Sequence, residues 1–415
     1  YSEQLKTSFA LIGRPGLAWT TSGPDSSSDA SLLTARDDMT GCRKVNSYSL
    51  EPGAVKFGDK KHSHVLVTYR KRNVFQKVFI VELKFRSFYN DGLLFIVPGN
   101  KGKQSHYLMT SLRNGRLSVL LKSRGKAEVM SQGVLNDGQW HMVRIEKAEK
   151  ELIVHVDSIL AGSTKAPRRL SIGNVMYVGG IPEHVMDSTE PVIQRTDTLK
   201  GCIQKLSVNG HAEDLVGETA QHHNVGQCFP SVERGSYFPG DAYAVYRNQF
   251  NIGDLTDLEL EFRTSELTGI LLSVSEPEGY PALSIELNQG KIILAGDMGD
   301  RRTFLIEHSF TSKYSGCDNR WHHVHLQIIK DEITLRVDAA EHKYFLSDNG
   351  HFTSAKTNSP LYIGGLPDGA AIGTLDTREN FKGCIRNIVI GGEKSDWTAM
   401  SYMHNILLTS CPVQS

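Results

Sequence analysis

The residues able to do chemistry fall into a few groups: cysteines, basic runs, a histidine cluster and a pair of strand carboxylates. The six cysteines are Cys42, Cys202, Cys228, Cys317, Cys384 and Cys411. None forms a C-x-x-C pair, so zinc-site or thioredoxin-type chemistry has little support. The spacing of Cys202/Cys228 repeats in Cys384/Cys411, which favours disulfides and an oxidising, extracellular compartment. Cys42 and Cys317 are left over, and arithmetic pairs them, tying the N-terminal segment to the second half. His322, His323 and His325 invite a metal reading, but no further ligand follows at a telling spacing. They read instead as polar residues on a strand, with Trp321 facing the core. Glu259 and Glu261 share a strand face, as in some sandwich glycosidases. The matching positions of an earlier repeat hold Glu82 and Lys84, and the neighbouring Asp of a glycosidase strand motif is missing. No Ser-His-Asp or Cys-His arrangement is present. The expectation is a protein that is not an enzyme.

The basic residues are more informative. Arg70-Lys71-Arg72 is a triplet, Lys122, Arg124 and Lys126 flank a glycine, and Arg168-Arg169 is a pair. Formal charge is zero overall, yet residues 55–228 carry about +9 and residues 229–415 about −8. A basic half attracts anionic partners through its summed field. Few aromatics interleave with these charges, which argues against nucleic acid. No apolar run approaches the roughly 18 residues of a membrane span. The chain opens on Tyr1 with no signal-peptide pattern, so it reads as a piece of something longer.

The elements that must position these residues are short strands. A composition of 39% hydrophobic and 22% charged residues is globular, and 415 residues suffice for two or three domains. Residues 1–50 read as a partly flexible linker, with Gly23-Pro24-Asp25-Ser26-Ser27-Ser28 as its clearest text. From there, runs such as Val65–Tyr69, Val78–Phe85, Gly92–Val97, Gly115–Leu121, Trp140–Ile145 and Leu152–Val156 read as strands. Asn90-Asp91-Gly92, Arg113-Asn114-Gly115 and Asn136-Asp137-Gly138 punctuate them as turns. No sustained 3.6-residue period appears, so helices should be few. The order then repeats. Leu83-Lys84-Phe85-Arg86-Ser87 returns as Leu260-Glu261-Phe262-Arg263-Thr264, and Asp137-Gly138-Gln139-Trp140-His141 as Asp318-Asn319-Arg320-Trp321-His322. Tyr177-Val178-Gly179-Gly180-Ile181-Pro182 with Lys200-Gly201-Cys202-Ile203 returns as Tyr362-Ile363-Gly364-Gly365-Leu366-Pro367 with Lys382-Gly383-Cys384-Ile385. The expected fold is all-β: two tandem antiparallel sandwiches, at 51–229 and 230–415.

This combination resembles the laminin-G-like module, whose marks are a D-G-x-W-H turn, a Y-V-G-G-x-P strand end and a G-C-[IV] segment before a final cysteine. The Thr409-Ser410-Cys411-Pro412 ending, Cys317 before its turn and Glu233-Arg234-Gly235-Ser236-Tyr237-Phe238 look most like the fourth and fifth modules of a laminin α chain. Divergence from vertebrate chains hints at an invertebrate one. The resemblance implies a jelly-roll, concanavalin-like fold and agrees with a Cys42–Cys317 link. It implies basement-membrane adhesion, within a larger chain of a heterotrimer, through heparan sulfate, sulfatide, dystroglycan glycans or integrin-type receptors. A different implication, from the protein S relatives, is a receptor ligand acting through a protein–protein surface. Carried over residue by residue, the Lys122-Arg124-Lys126 turn resembles a family heparin and sulfatide turn. The family's basic triplet aligns near Lys77, about one turn beyond Arg70, Lys71 and Arg72. Lys101, Lys103, Arg168 and Arg169 extend the same patch. The family's calcium aspartates align with His106 and Ser171 in the first module and with Pro281 and Lys356 in the second. These are poor oxygen donors, so weak calcium binding or none is expected.

Overall fold

A computed structural model describes residues 42, 45, 48–70, 74–99, 106–186, 191–218, 220–247, 249–252, 255–299, 302–311, 316–346, 357, 359–395 and 397–413. The linker reading of residues 1–50 falls largely outside them, as do Lys71, Arg72, Lys101, Lys103 and Lys356.

Two antiparallel sheets form a first sandwich. One runs Ile159–Lys165, Glu151–Val156, His141–Lys147, Phe79–Ser87, Gly201–Val208, Val55–Phe57, Gly226–Gln227, with His211–Ala212 added to Gly201–Val208. The other runs Gln221–His223, His64–Thr68, Val175–Val178, Gly92–Pro98, Tyr107–Arg113, Arg116–Lys122, Lys126–Met130. The strands alternate as a half-buried sheet requires. In His141–Lys147, His141, Val143, Ile145 and Lys147 are buried while Met142, Arg144 and Glu146 face out. Facing apolar rows such as Val81, Leu83, Phe85 and Leu108, Leu117, Val119 fill the space between the sheets.

The second sandwich repeats the plan. One sheet orders Ser236–Pro239, Lys382–Ile390, Leu255–Arg263, His322–Ile329, Glu332–Val337, Ala340–Phe345. The other orders Thr303–Ser309, Lys291–Asp297, Ala282–Asn288, Gly269–Ser275, Tyr362–Ile363, Tyr243–Val245, Tyr402–His404. The tight turn at Asn114-Gly115, with φ of 50° and 75°, returns at Gln289-Gly290 with the same angles. Positive φ at both central residues is the two-residue hairpin turn that suits strand twist. Helix among the described residues is confined to Glu183–Met186, Pro191–Gln194 and a 3-10 turn at Trp397–Ala399.

Disulfides join Cys42 to Cys317, Cys202 to Cys228 and Cys384 to Cys411. Trp321 corrects one expectation, because it does not face the core. It lies half-buried on the outside, with the Arg386 guanidinium 3.9 Å from its ring centroid and its Nε1 donating to Glu233 at 3.1 Å. Trp140 has the same place in the first copy, packed on the Cys202–Cys228 disulfide and under Arg86 at 4.6 Å. Arg86 donates to the Pro230 and Phe229 carbonyls at 2.9 and 2.7 Å. Burial lowers its pKa to about 10, still cationic at neutral pH. The alternation places Trp outside: His141 and His322 are the inward residues, so each preceding residue points away.

The sandwiches touch through an aromatic trio of Tyr48, Phe229 and Tyr237, with centroids 5.5–5.9 Å apart. A hydrogen bond from Leu408 N to Asp59 Oδ1 at 3.0 Å adds to this contact.

Candidate functional site

The basic residues of the first sandwich come from stretches far apart in sequence, and one segment gathers them. Residues 166–174 run along the end of the sandwich between its last edge strand and Val175–Val178. Ala166 N donates to Lys150 O at 2.8 Å. A β-carbon placed on Gly125 would lie 3.7 Å from Pro167 Cγ, so the Lys122–Lys126 turn rests against this segment. Leu170 N donates to Gln76 O at 3.0 Å, beside Lys77. Ile172 bridges Gly99, and Tyr69 N donates to Asn174 O at 2.9 Å, beside Arg70. Nine residues reach at most about 30 Å. Arg70, Lys77, Lys122, Arg124, Lys126, Arg168 and Arg169 therefore share one rim.

Their environments differ. Lys126 is 2.7 Å from Glu128, and Arg168 is 3.6 Å from Glu149. Arg70, Lys77, Arg124 and Arg169 are exposed and form no ion pair among the described residues. Lys122 is half-buried and lies opposite Lys126 across the hairpin. Exposed ion pairs are worth about 0–1 kcal/mol, so Glu128 and Glu149 are weak competitors for a strongly bound anion.

Sequence reasoning missed Lys147. Its ammonium, buried at the end of His141–Lys147, donates to the carbonyls of Lys77, Ala148 and Glu149, the first and last at 3.0 Å. Burial lowers its pKa. It pins the Lys77 loop to the Glu149 loop and holds two parts of the rim in place. The signal was legible, since Lys147 falls in the inward phase of an alternating strand.

The calcium positions offer a poor donor set. His106 presents an imidazole whose buried Nδ1 has no partner, Ser171 a single hydroxyl, and Pro281 no side-chain oxygen. No cluster of three His, Cys, Asp or Glu suited to a metal occurs among the described residues. The side chains at His106, Ser171 and Pro281 supply few of the hard oxygen donors that calcium takes. His322, His323 and His325 are taken up by carboxylates. His323 Nε2 meets Glu259 at 2.8 Å and His325 Nε2 meets Asp257 at 2.7 Å. Glu261 is held by Arg386 and Asn387, both at 2.7 Å.

Two duplicated sandwiches, each with a Gly-Cys strand closed by a disulfide, define a class of module. The laminin G domain family matches residues 85–214 and again residues 262–393. The chain belongs to that family as a tandem pair of laminin G domains. Human laminin subunit alpha-1 is 28% identical over 415 residues, covering 97% of this chain and 13% of that protein. Mouse growth arrest-specific protein 6 is 27% identical over 366 residues, covering 80% of this chain and 52% of that protein. Among solved structures, domains LG4-5 of the mouse laminin alpha1 chain superpose with a TM-score of 0.79 at 26% identity, covering 90% of this chain and all of that one. The chain thus spans about an eighth of the laminin subunit it matches.

Proposed function

We propose that this chain is an adhesive part of a secreted extracellular-matrix protein of laminin α type. Residues 51–229 and 230–415 are its two modules, and the rim of the first module binds sulfated or acidic glycans. The ligands are heparan sulfate, sulfatide or the glycan of dystroglycan, and binding anchors matrix to cells. The observation that carries this reading is the convergence of the basic stretches on residues 166–174, with four cations left unpaired among the described residues. Sulfate and carboxylate suit arginine through paired, charge-assisted hydrogen bonds. Lys71, Arg72, Lys101 and Lys103 belong to the same proposal by their place in sequence. The family match and the three disulfides support an extracellular setting.

Heparin chromatography tests it. The wild type should elute at higher salt than Arg124→Ala/Lys126→Ala and than Arg168→Ala/Arg169→Ala, because exposed charge pairs are screened. Elution unchanged in both double variants removes the rim from the account.

A second reading has its own observation. Leu255 and Ile329, 72% and 47% exposed, are cross-strand neighbours on the outer face of the second sandwich, with Phe345, 64% exposed, beyond Glu332 in the same row. An apolar row of that kind suits a protein receptor, as the protein S-like relatives imply. Its signature is cell attachment that survives high salt.

A further inference from the structure

The second sandwich carries an aromatic cluster that core packing does not account for. On the outer face of neighbouring strands Tyr362–Ile363, Tyr243–Val245 and Tyr402–His404, four rings gather. Tyr243 stacks on His404 at 5.3 Å and 25°, and lies 5.9 Å from Tyr402 and 6.3 Å from Tyr362. The intervening Ala244 and Ile363 are the residues that enter the core. Tyr402 remains 52% exposed.

Tyr243 and His404 form one wall of a cleft of about 680 Å³, within the range of small-molecule sites. Opposite them stand groups with hydrogen-bonding capacity. Asp368 and Arg378 are exposed and form no hydrogen bond or ion pair among the described residues, although their charges are opposite. Asp241 is oriented by Asn405 at 2.8 Å, and Asn380 by Leu366 N at 2.9 Å. Lys382 is neutralised by Glu266 at 2.7 Å.

We infer that this cleft binds an uncharged saccharide, at a site separate from the basic rim. A pyranose presents a face of C–H bonds and an edge of hydroxyls. The Tyr243 and His404 rings accommodate the face, while the carboxylates, amide and guanidinium take the edge as acceptors and donors. Asp241, Asp368 and Glu379 outnumber Arg378, which disfavours sulfated or sialylated sugars. The first sandwich has a three-ring cluster in the matching place, His64 with His223 at 5.2 Å and Tyr177 at 6.1 Å, but in a different charge setting. His64 stands in Tyr243's register place opposite His223, and its corresponding cleft holds Lys60, Lys61 and Lys200 under Trp397 and Met400.

Saturation-transfer NMR on the whole chain tests this with the methyl glycosides of galactose, glucose, mannose and N-acetylglucosamine. At least one should receive saturation through its C–H face, with a Kd on the order of 1 mM. His404→Ala, which removes a cleft-lining ring outside the core, should weaken it about tenfold. Arg378→Ala should weaken it too. About 0.5 M sodium chloride and Arg124→Ala/Lys126→Ala should leave it unchanged. Transfer to none of the four glycosides overturns the proposal, as does a signal abolished by salt. A signal that survives both His404→Ala and Tyr243→Ala also overturns it.

Discussion

Asp338→Asn should destabilise the second sandwich in a pH-dependent way, and the sign follows from the geometry of His322. That buried imidazole sits between two carboxylates, with Nδ1 2.8 Å from Asp338 Oδ2 and Nε2 3.1 Å from Asp318 Oδ1. Burial works against the cation, but the two carboxylates outweigh it and raise the pKa. Protonated, the ring donates to both; neutral, it has one N–H and can satisfy only one. A group with a raised folded pKa contributes stability that is full below the unfolded value near 6.5. That contribution is lost as pH rises through the folded value. Asp338 has a lowered pKa, so it stays ionised throughout this window and adds no slope of its own. In Asp338→Asn, the side-chain oxygen can keep the bond from His323 N, while the new amide can donate to a neutral Nδ1. The variant therefore matches the neutral ring and opposes the charged one. A hydrogen bond to a charged group is worth about 1.5–3 kcal/mol. Asp338 is 43% exposed, so screening places the loss at the lower end, about 1.5 kcal/mol at pH 5.5 and near zero at pH 8.5. Hydrogen exchange of strand His322–Ile329 in the whole chain measures it. Protection should fall by about tenfold at the lower pH and little at the higher. A penalty that is flat, or larger at high pH, would refute the reasoning.

Two further outcomes follow from the packing. Lys147→Met should leave the carbonyls of Lys77, Ala148 and Glu149 without their shared donor, costing about 2 kcal/mol, read as a fall in Tm of roughly 4–8 °C. It should also lower the salt at which the chain leaves heparin, since the rim loops lose their tie. Gly179→Ala should destabilise the first sandwich by about 2–5 kcal/mol in urea unfolding, because its β-carbon would lie 2.2 Å from Phe57 at φ +78°. Gly364→Ala should do the same to the second, against Phe238 at 2.2 Å and φ +77°.

What the amino-acid order determined by itself was everything carried by local periodicity and by repetition. Alternation set which side of each strand faces inward, including that of Lys147, and the doubled Gly-Gly and Gly-Cys phrases announced two copies of one unit. The nearly equal cysteine spacings, 26 and 27 positions, pointed to two of the disulfides, and subtraction to the third. Trp321 was misjudged because an aromatic next to an apolar strand looks like core; the buried His322 beside it shows that the phase, not the residue type, decides. Only the tertiary structure could decide which cations are neighbours. Arg70, Lys77, Arg124 and Arg169 lie up to about a hundred positions apart, and no period links them. They meet because residues 166–174 hydrogen-bond or pack against each loop in turn, a long-range arrangement set by the closing of two sheets. The same holds for the rings of Tyr243, Tyr362 and Tyr402, which sequence scatters and three neighbouring strands bring to one face.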